Sequence, residues 1–430
     1  NLNAGGNYLE RGVHLKEEDD ILELDIVVNK FEDKGVQKSI VEVKSGKDWG
    51  FPEIFKVKGW MSYLGFQQAS FIVQITHDKN LEFYHRIAQQ LNINLINTPI
   101  IDDSLDDTDL KAQYSISSSK HHKNAVSCLR FSFALEHKLT DDIISICKSN
   151  SKIQSYLDLR KYLGIINDSS FFESEPKNRI KSIFSAYQQY RNITARIDQE
   201  KLGKPYISLT NDEKIDTKTY ASLFYNCQSP DIRYASLYVE LLEKLHILKY
   251  CVEDILRPTG QESLFSHLGD ELLPPVMRDG IKKLSNKPYF YLYPYFWQFL
   301  IFLFGGFILN NKNYKPQEYA LLSEMTRIPL EHIDDAFEAF DLLFPLSEGK
   351  KWLFNLEKSE ITMLLFMPVP LCGIGSNFRL CIYTKDEQYT SLKALLPGDK
   401  TYNDIVKWNN LAAKYLLKSK DVNKNQNNNE

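Results

Sequence analysis

Residues 21–45 read ILELDIVVNKFEDKGVQKSIVEVKS, and the first quarter of the chain is built around them. Residues 21–29 and 39–45 both alternate apolar and polar side chains, the period of a half-buried β-strand. In the first segment Leu22, Leu24, Ile26 and Val28 are expected on one face, with Glu23 and Asp25 on the other. In the second, Val41 and Val43 oppose Glu42 and Lys44. Successive odd or even positions of a pleated strand project together, so Glu42 and Lys44 must share a side. Asp33-Lys34-Gly35 between the segments is short enough for a hairpin turn. Antiparallel pairing in a suitable register would gather Asp25, Glu42 and Lys44 into one patch.

Two carboxylates held a few ångströms apart repel each other unless a cation lies between them, and hard oxygen donors suit Mg²⁺ or Mn²⁺. An ammonium beside them can orient water or offset charge on an attacked phosphate. The same residues also fit a plainer arrangement, two solvated strand faces joined by a cross-strand salt bridge. The tripeptide alone does not choose between these.

Its surroundings add order. Gly5-Gly6-Asn7-Tyr8-Leu9-Glu10 is read as opening a short helix that carries Glu10. Residues 51–65 (FPEIFKVKGWMSYLG) space Ile54, Val57, Met61 and Leu64 for one apolar helical face. A strand at 70–76, a helix at 81–91 and a strand at 93–96 follow. This sequence of elements resembles the core of the PD-(D/E)XK nuclease superfamily, with Glu10 on the first helix, Asp25 on the hairpin and Glu42-Val43-Lys44 as the E-x-K element. The resemblance covers about the first quarter of the chain. It implies a restriction-endonuclease-like mixed sheet flanked by helices. It also implies catalytic roles for Glu10, Asp25, Glu42 and Lys44, and a Mg²⁺ (or Mn²⁺) ion held by Asp25, Glu42 and the carbonyl of Val43. In the exonuclease branch of that superfamily the following helix carries a Gln and a Tyr. Here the comparable turn, Gly59-Trp60-Met61-Ser62-Tyr63, has the Tyr and lacks the Gln.

The whole chain has 430 residues, 43% of them hydrophobic and 25% charged, a composition that suits two or three globular domains. A formal net charge of −4 advertises no basic field for nucleic acid, although a local basic cleft remains open. The six cysteines (Cys128, Cys147, Cys227, Cys251, Cys372, Cys381) form no C-x-x-C pair and read as free thiols in a reducing compartment. No signal-peptide pattern is read at the start, and a first residue of Asn1 rather than Met leaves room for residues upstream. A cytoplasmic location is expected.

Domain boundaries follow composition. Residues 1–101 form the nuclease-like domain, and 102–124 a linker that begins with the acidic run DDSLDDTD and continues as SISSSKHHK. Residues 125–284 read as helical. Within them Lys177, Arg179, Lys181, Arg191 and Arg196 accompany Tyr187 and Tyr190, a pattern that fits a phosphate-tracking helix or an ordinary solvated one. Leu237, Leu241, Leu245 and Leu248 mark a buried helix.

The uncharged run at 289–309 is read as a core helix over 294–309. Its 16 residues would span about 24 Å, short of the roughly 30 Å hydrocarbon core, so no membrane partner is expected. Residues 285–418 are read as a winged-helix-like and small β region, with helices at 316–326 and 330–344 and a wing strand at 351–356. Its would-be recognition helix carries Glu331, Asp334, Asp335, Glu338 and Asp341, which phosphates would repel. Further elements are read at 361–369, 378–384 and 402–417, and residues 419–430 as a polar tail.

The function these readings imply is metal-dependent phosphodiester hydrolysis, in DNA rather than RNA, within a restriction or anti-phage defence system. The alternative is a non-catalytic docking subunit that binds DNA or proteins. Protein partners are expected along the C-terminal half, and a homo-oligomer is open because cutting both strands of a duplex calls for two sites.

Overall fold

In the computed structural model β2 (Asp20–Glu32) and β3 (Gly35–Lys44) pair antiparallel, in register from Ile26↔Val41 to Glu32↔Gly35. Before them runs β1 (Tyr8–Lys16), antiparallel to β2. After them come α1 (Phe51–Leu64), β4 (Gln68–Gln74), α2 (Leu81–Gln90) and β5 (Ile93–Thr98), with β4 parallel to β3 and β5 parallel to β4. The result is a mixed five-stranded sheet in the order β1-β2-β3-β4-β5. The structure describes residues 1–117 apart from 17–19, 47–48, 75–79 and 99–107. It also describes positions 122, 126 and 129, and residues 232–364 apart from 259, 261, 269–272, 274, 305–306, 310–314, 344–352 and 356–360. The basic helix read at 177–196 and the elements read at 378–384, 402–417 and 419–430 lie outside these residues.

The sheet is covered on both faces. On one side α1 and α2 bury Ile54, Val57, Met61 and Ala88 against Val27, Ile40, Phe71 and Val73. On the other, Val28, Val41, Ile72 and Ile96 meet Leu110, Tyr114 and Ile116. Helix α1 forms because its apolar residues recur at helical spacing. Its first turn is closed by the Glu53 carboxylate, which accepts from the Gly50 amide at 2.8 Å. It ends at Gly65, whose φ of 71° is the left-handed conformation glycine reaches without strain.

Two expectations change here. The stretch read as linker supplies α3 (Thr108–Gln113), and Leu110, Tyr114 and Ile116 are core residues on the second face. The Tyr114 hydroxyl sits between the hydroxyls of Ser39 (3.3 Å) and Ser70 (3.1 Å). An acidic flank masked these apolar positions in the sequence. The even alternation read along residues 21–29 also fails. Leu22, Leu24 and Val27 join the first core, while Ile26 and Val28 join the second. On β1 the same switch separates Val13 from Leu9, with Gly12 between them at φ 55°. Both sheet faces are apolar, so the side-chain pattern did not reveal this local twist.

The later elements close over the first strand. Helix α4 (Ile232–Ile255) buries Leu245 and Leu248, and α5 (Pro275–Ser285) follows. Helix α6 (Tyr293–Phe304) buries Tyr293, Tyr295, Phe296, Trp297 and Leu300 completely. It stops short of the helix read to residue 309, because Gly305-Gly306 interrupts the run and β6 (Phe307–Leu309) begins. Among the described residues no helix is long and apolar enough to cross a membrane. From α6 the Gln298 amide reaches the edge strand. Its Nε2 donates to the Leu9 carbonyl and its Oε1 accepts from the Leu9 amide, both at 2.8 Å. A side chain thus completes the backbone pairing that an exposed edge would leave open.

Beyond α6 lie α7 (Lys315–Thr326), α8 (Ile333–Phe337) and α9 (Ala339–Leu343), then β7 (Leu353–Asn355) and β8 (Ile361–Leu364). β6, β8 and β7 form a small antiparallel sheet in that order.

Candidate active site where two strands part

Pairing of β2 with β3 ends at Ile26↔Val41, although β2 continues to pair with β1 as far as Asp20↔Lys16. Beyond that point the two strands separate. The Val43 amide, left without a β2 carbonyl, donates instead to Asp25 Oδ2 at 2.8 Å. Asp25 therefore stands at the fork by a specific contact. Across the fork Glu42 and Lys44 project together as their spacing requires, with Lys44 Nζ 2.8 Å from Glu42 Oε1. The expected grouping of Asp25, Glu42 and Lys44 is present, and it depends on the strands parting.

The electrostatics of the fork are uneven. Glu42 is only 2% exposed, and its Oε2 has no hydrogen-bond partner. Burial pushes its carboxyl above the ordinary range. The Lys44 hydrogen bond draws it part of the way back, the Asp25 charge pushes it up again, and Lys56 lowers it slightly. Lys44 is 37% exposed on its side chain, and its hydrogen bond to Glu42 raises its pKa further. Glu42 Oε2 is thus a buried carboxylate oxygen without a donor, beside a second carboxylate, an arrangement that calls for a further partner. Paired carboxylates are one of the donor sets that bind Mg²⁺.

Glu10 is elsewhere. It lies on β1 rather than on a helix, because the first helical turn is a short 3-10 segment (Asn3–Gly5) closed by Gly6 at φ 89°. Its carboxylate is fully engaged, with Oε1 2.8 Å from Lys249 Nζ and Oε2 accepting from Asn29 Nδ2 at 2.9 Å. Lys249 on α4 is 0% exposed, and it also lies 3.5 Å from Glu253, which pairs with Lys38 at 3.0 Å. Burial alone would raise the Glu10 pKa, but the Lys249 ammonium holds it down at about 2. Among the described residues no three His, Cys, Asp or Glu side chains come together as a metal cage, so Glu10 adds no third acid to the fork.

Sequence reasoning missed Lys249, the residue that claims Glu10. The available signal was a lysine inside the apolar run LHILKYCV of a helix already read as buried. Lys56 on α1 lies 4.5 Å over the Trp60 ring and feels the Glu42 charge. Lys56 and its neighbours Lys47 and Lys58 follow the E-x-K strand closely enough in sequence to be candidates for phosphate contacts; Lys58 is half-buried on α1 and Lys47 lies outside the described residues.

Searches against protein-family models, curated proteins and solved structures return no match to this chain.

Proposed function

We propose that this chain is a metal-dependent nuclease of the PD-(D/E)XK type, hydrolysing phosphodiester bonds in DNA rather than RNA. The observation that carries the reading is the buried, unpartnered Oε2 of Glu42 beside Asp25, with Lys44 on the other oxygen. The order of sheet and helices from β1 to β5 supports it, with the acidic first helix replaced by strand β1. Asp25 and Glu42 would hold Mg²⁺ or Mn²⁺, with the Val43 carbonyl as a further donor. A divalent ion so held supplies Lewis acidity toward a phosphate oxygen. Lys44 would direct its ammonium to the attacking water or to the charge growing on the phosphoryl oxygens. Asp25 is kept in place by the Val43 amide, so the site needs little reorganisation on loading. Glu10 acts at a distance, by fixing α4 against the sheet.

The C-terminal elements are read as winged-helix-like. The support is the order α6, β6, α7, α8–α9, β7, β8 with β8 central. Their acids serve packing: Asp335 and Glu338 pair with Lys287 at 2.6 and 3.2 Å, and Asp334 accepts from Tyr319 at 2.6 Å. Such a surface suits protein contact better than a DNA groove. A docking subunit without catalysis is the second reading, favoured by the closed Lys44–Glu42 ion pair.

The test is nicking of supercoiled plasmid with Mg²⁺ or Mn²⁺ by wild type, Lys44→Ala and Asp25→Ala. Metal-dependent nicking lost in both folded variants supports the nuclease. Equal nicking by all three refutes the site. No nicking by any of them favours docking.

A further inference from the structure

The first turns of α1 and α2 follow the carboxyl ends of the parallel strands β3 and β4, on the same rim as Lys44. Open α/β sheets characteristically receive ligands at that rim. Aromatic rings are concentrated there. Phe51 stacks on Tyr84 with centroids 4.4 Å apart and meets Phe83 edge-on at 5.3 Å. Phe55 lies one helical turn beyond Phe51 on the same face and is 56% exposed, while Phe83 is 38% exposed. Phe51 and Tyr84 are thus the packed base of a cluster whose outer rings face water.

Cations accompany these rings. Arg86 lies 5.2 Å over Phe83, and Lys56, next in sequence to Phe55, lies over Trp60 and feels Glu42. The patch is therefore continuous with the fork through α1. Of the two acids nearby, Glu53 is committed to the Gly50 amide, and Glu82 remains on the first turn of α2. A purely apolar partner would leave these cations without a role. Exposed rings interleaved with cations fit a chain of flat π-faces linked by anions, since bases stack on the rings and phosphates meet the ammonium and guanidinium groups. Paired bases inside a duplex cannot offer those faces.

The geometry points to Phe55 and Phe83 as a stacking platform for unpaired bases, so that the substrate of the proposed nuclease is single-stranded or frayed nucleic acid leading into the Asp25–Glu42–Lys44 fork. This rests on the nuclease reading and narrows it.

The test measures binding without cleavage: fluorescence anisotropy of a labelled single-stranded 20-nucleotide DNA, with EDTA present. Phe55→Ala and Phe83→Ala are each expected to weaken binding roughly 5- to 100-fold. Binding of a blunt duplex should change far less. Phe55→Tyr keeps a ring and should restore affinity. Leu330→Ala, another exposed apolar side chain at 52%, should change nothing. Equal single-strand affinity in wild type and the alanine variants overturns the platform, as does failure of wild type to bind single strands. So does a result in which the two alanine variants alter only self-association in sedimentation, which would make the patch a contact between copies. Plasmid nicking with Asp25→Ala judges the nuclease reading separately, so either idea can fail without the other.

Discussion

Two carboxylates on the same sheet, Glu10 and Glu42, are almost equally buried, at 5% and 2% exposure, and their environments push them in opposite directions. Glu10 has a donor on each oxygen and a pKa held at about 2 by Lys249. Glu42 has one oxygen paired with a partly solvated lysine and one with nothing, and its pKa is raised. Burial costs a carboxylate about the same in either place, so the difference lies in what was built to offset it. At Glu10 the fold supplies the cation itself. At Glu42 the fold supplies one partly exposed lysine on one oxygen and leaves the other without a donor, the position at which the proposed cation would bind.

The largest expected effect comes from breaking the closed site. Lys249→Met leaves Glu10 buried without its cation and should cost roughly 3–5 kcal/mol, read by denaturant unfolding. Combining it with Glu10→Gln removes the stranded charge and keeps an acceptor for Asn29, so most of that loss should return. If the double variant is no more stable than the single, the ion pair is not what holds α4.

Protonation withdraws the same interaction more gently. A carboxyl lowered from 4.5 to about 2 contributes stability that is complete above the ordinary carboxylate range and is lost as pH falls through about 4.5 toward 2. Acid unfolding followed by circular dichroism should show this loss in wild type and lack it in the double variant. A loss of the same size in both would assign it to other groups.

Gln298→Leu should cost less, roughly 1–3 kcal/mol in all for the two hydrogen bonds to Leu9 lost at the β1 edge. Thermal unfolding measures it, and no change would mean that water or a neighbour replaces the amide.

The smallest effect on stability has the largest consequence for function. Glu42→Gln should leave stability within about 1 kcal/mol of wild type or raise it, because it removes a buried charge that only a half-solvated lysine offsets. The same variant should lose metal-dependent nicking. A strong destabilisation would place Glu42 with Glu10, as a structural group.

The pattern of residues 21–45 was enough to read the hairpin, α1 and the gathering of Asp25, Glu42 and Lys44, because period and spacing are local properties. The parting of β2 from β3 was not legible. It depends on apolar side chains crossing from one core to the other at Gly12 and Asp25, and both cores accept such residues. Glu10 was read on a helix because Gly5-Gly6 resembles a helix opening, and its true partner lies 239 residues away in sequence. Leu110, Tyr114 and Ile116 were hidden by acidic neighbours for a similar reason. Composition over a short window cannot report a contact made on the far side of a sheet.

The central claim is that Glu42 keeps an oxygen open for a cation and Glu10 does not. Mn²⁺ titration by calorimetry on wild type, Glu42→Gln and the Glu10→Gln/Lys249→Met double variant tests it without requiring turnover. The account predicts binding by wild type and by the double variant, and none by Glu42→Gln. Equal binding by all three, or loss in the double variant with retention in Glu42→Gln, would contradict it.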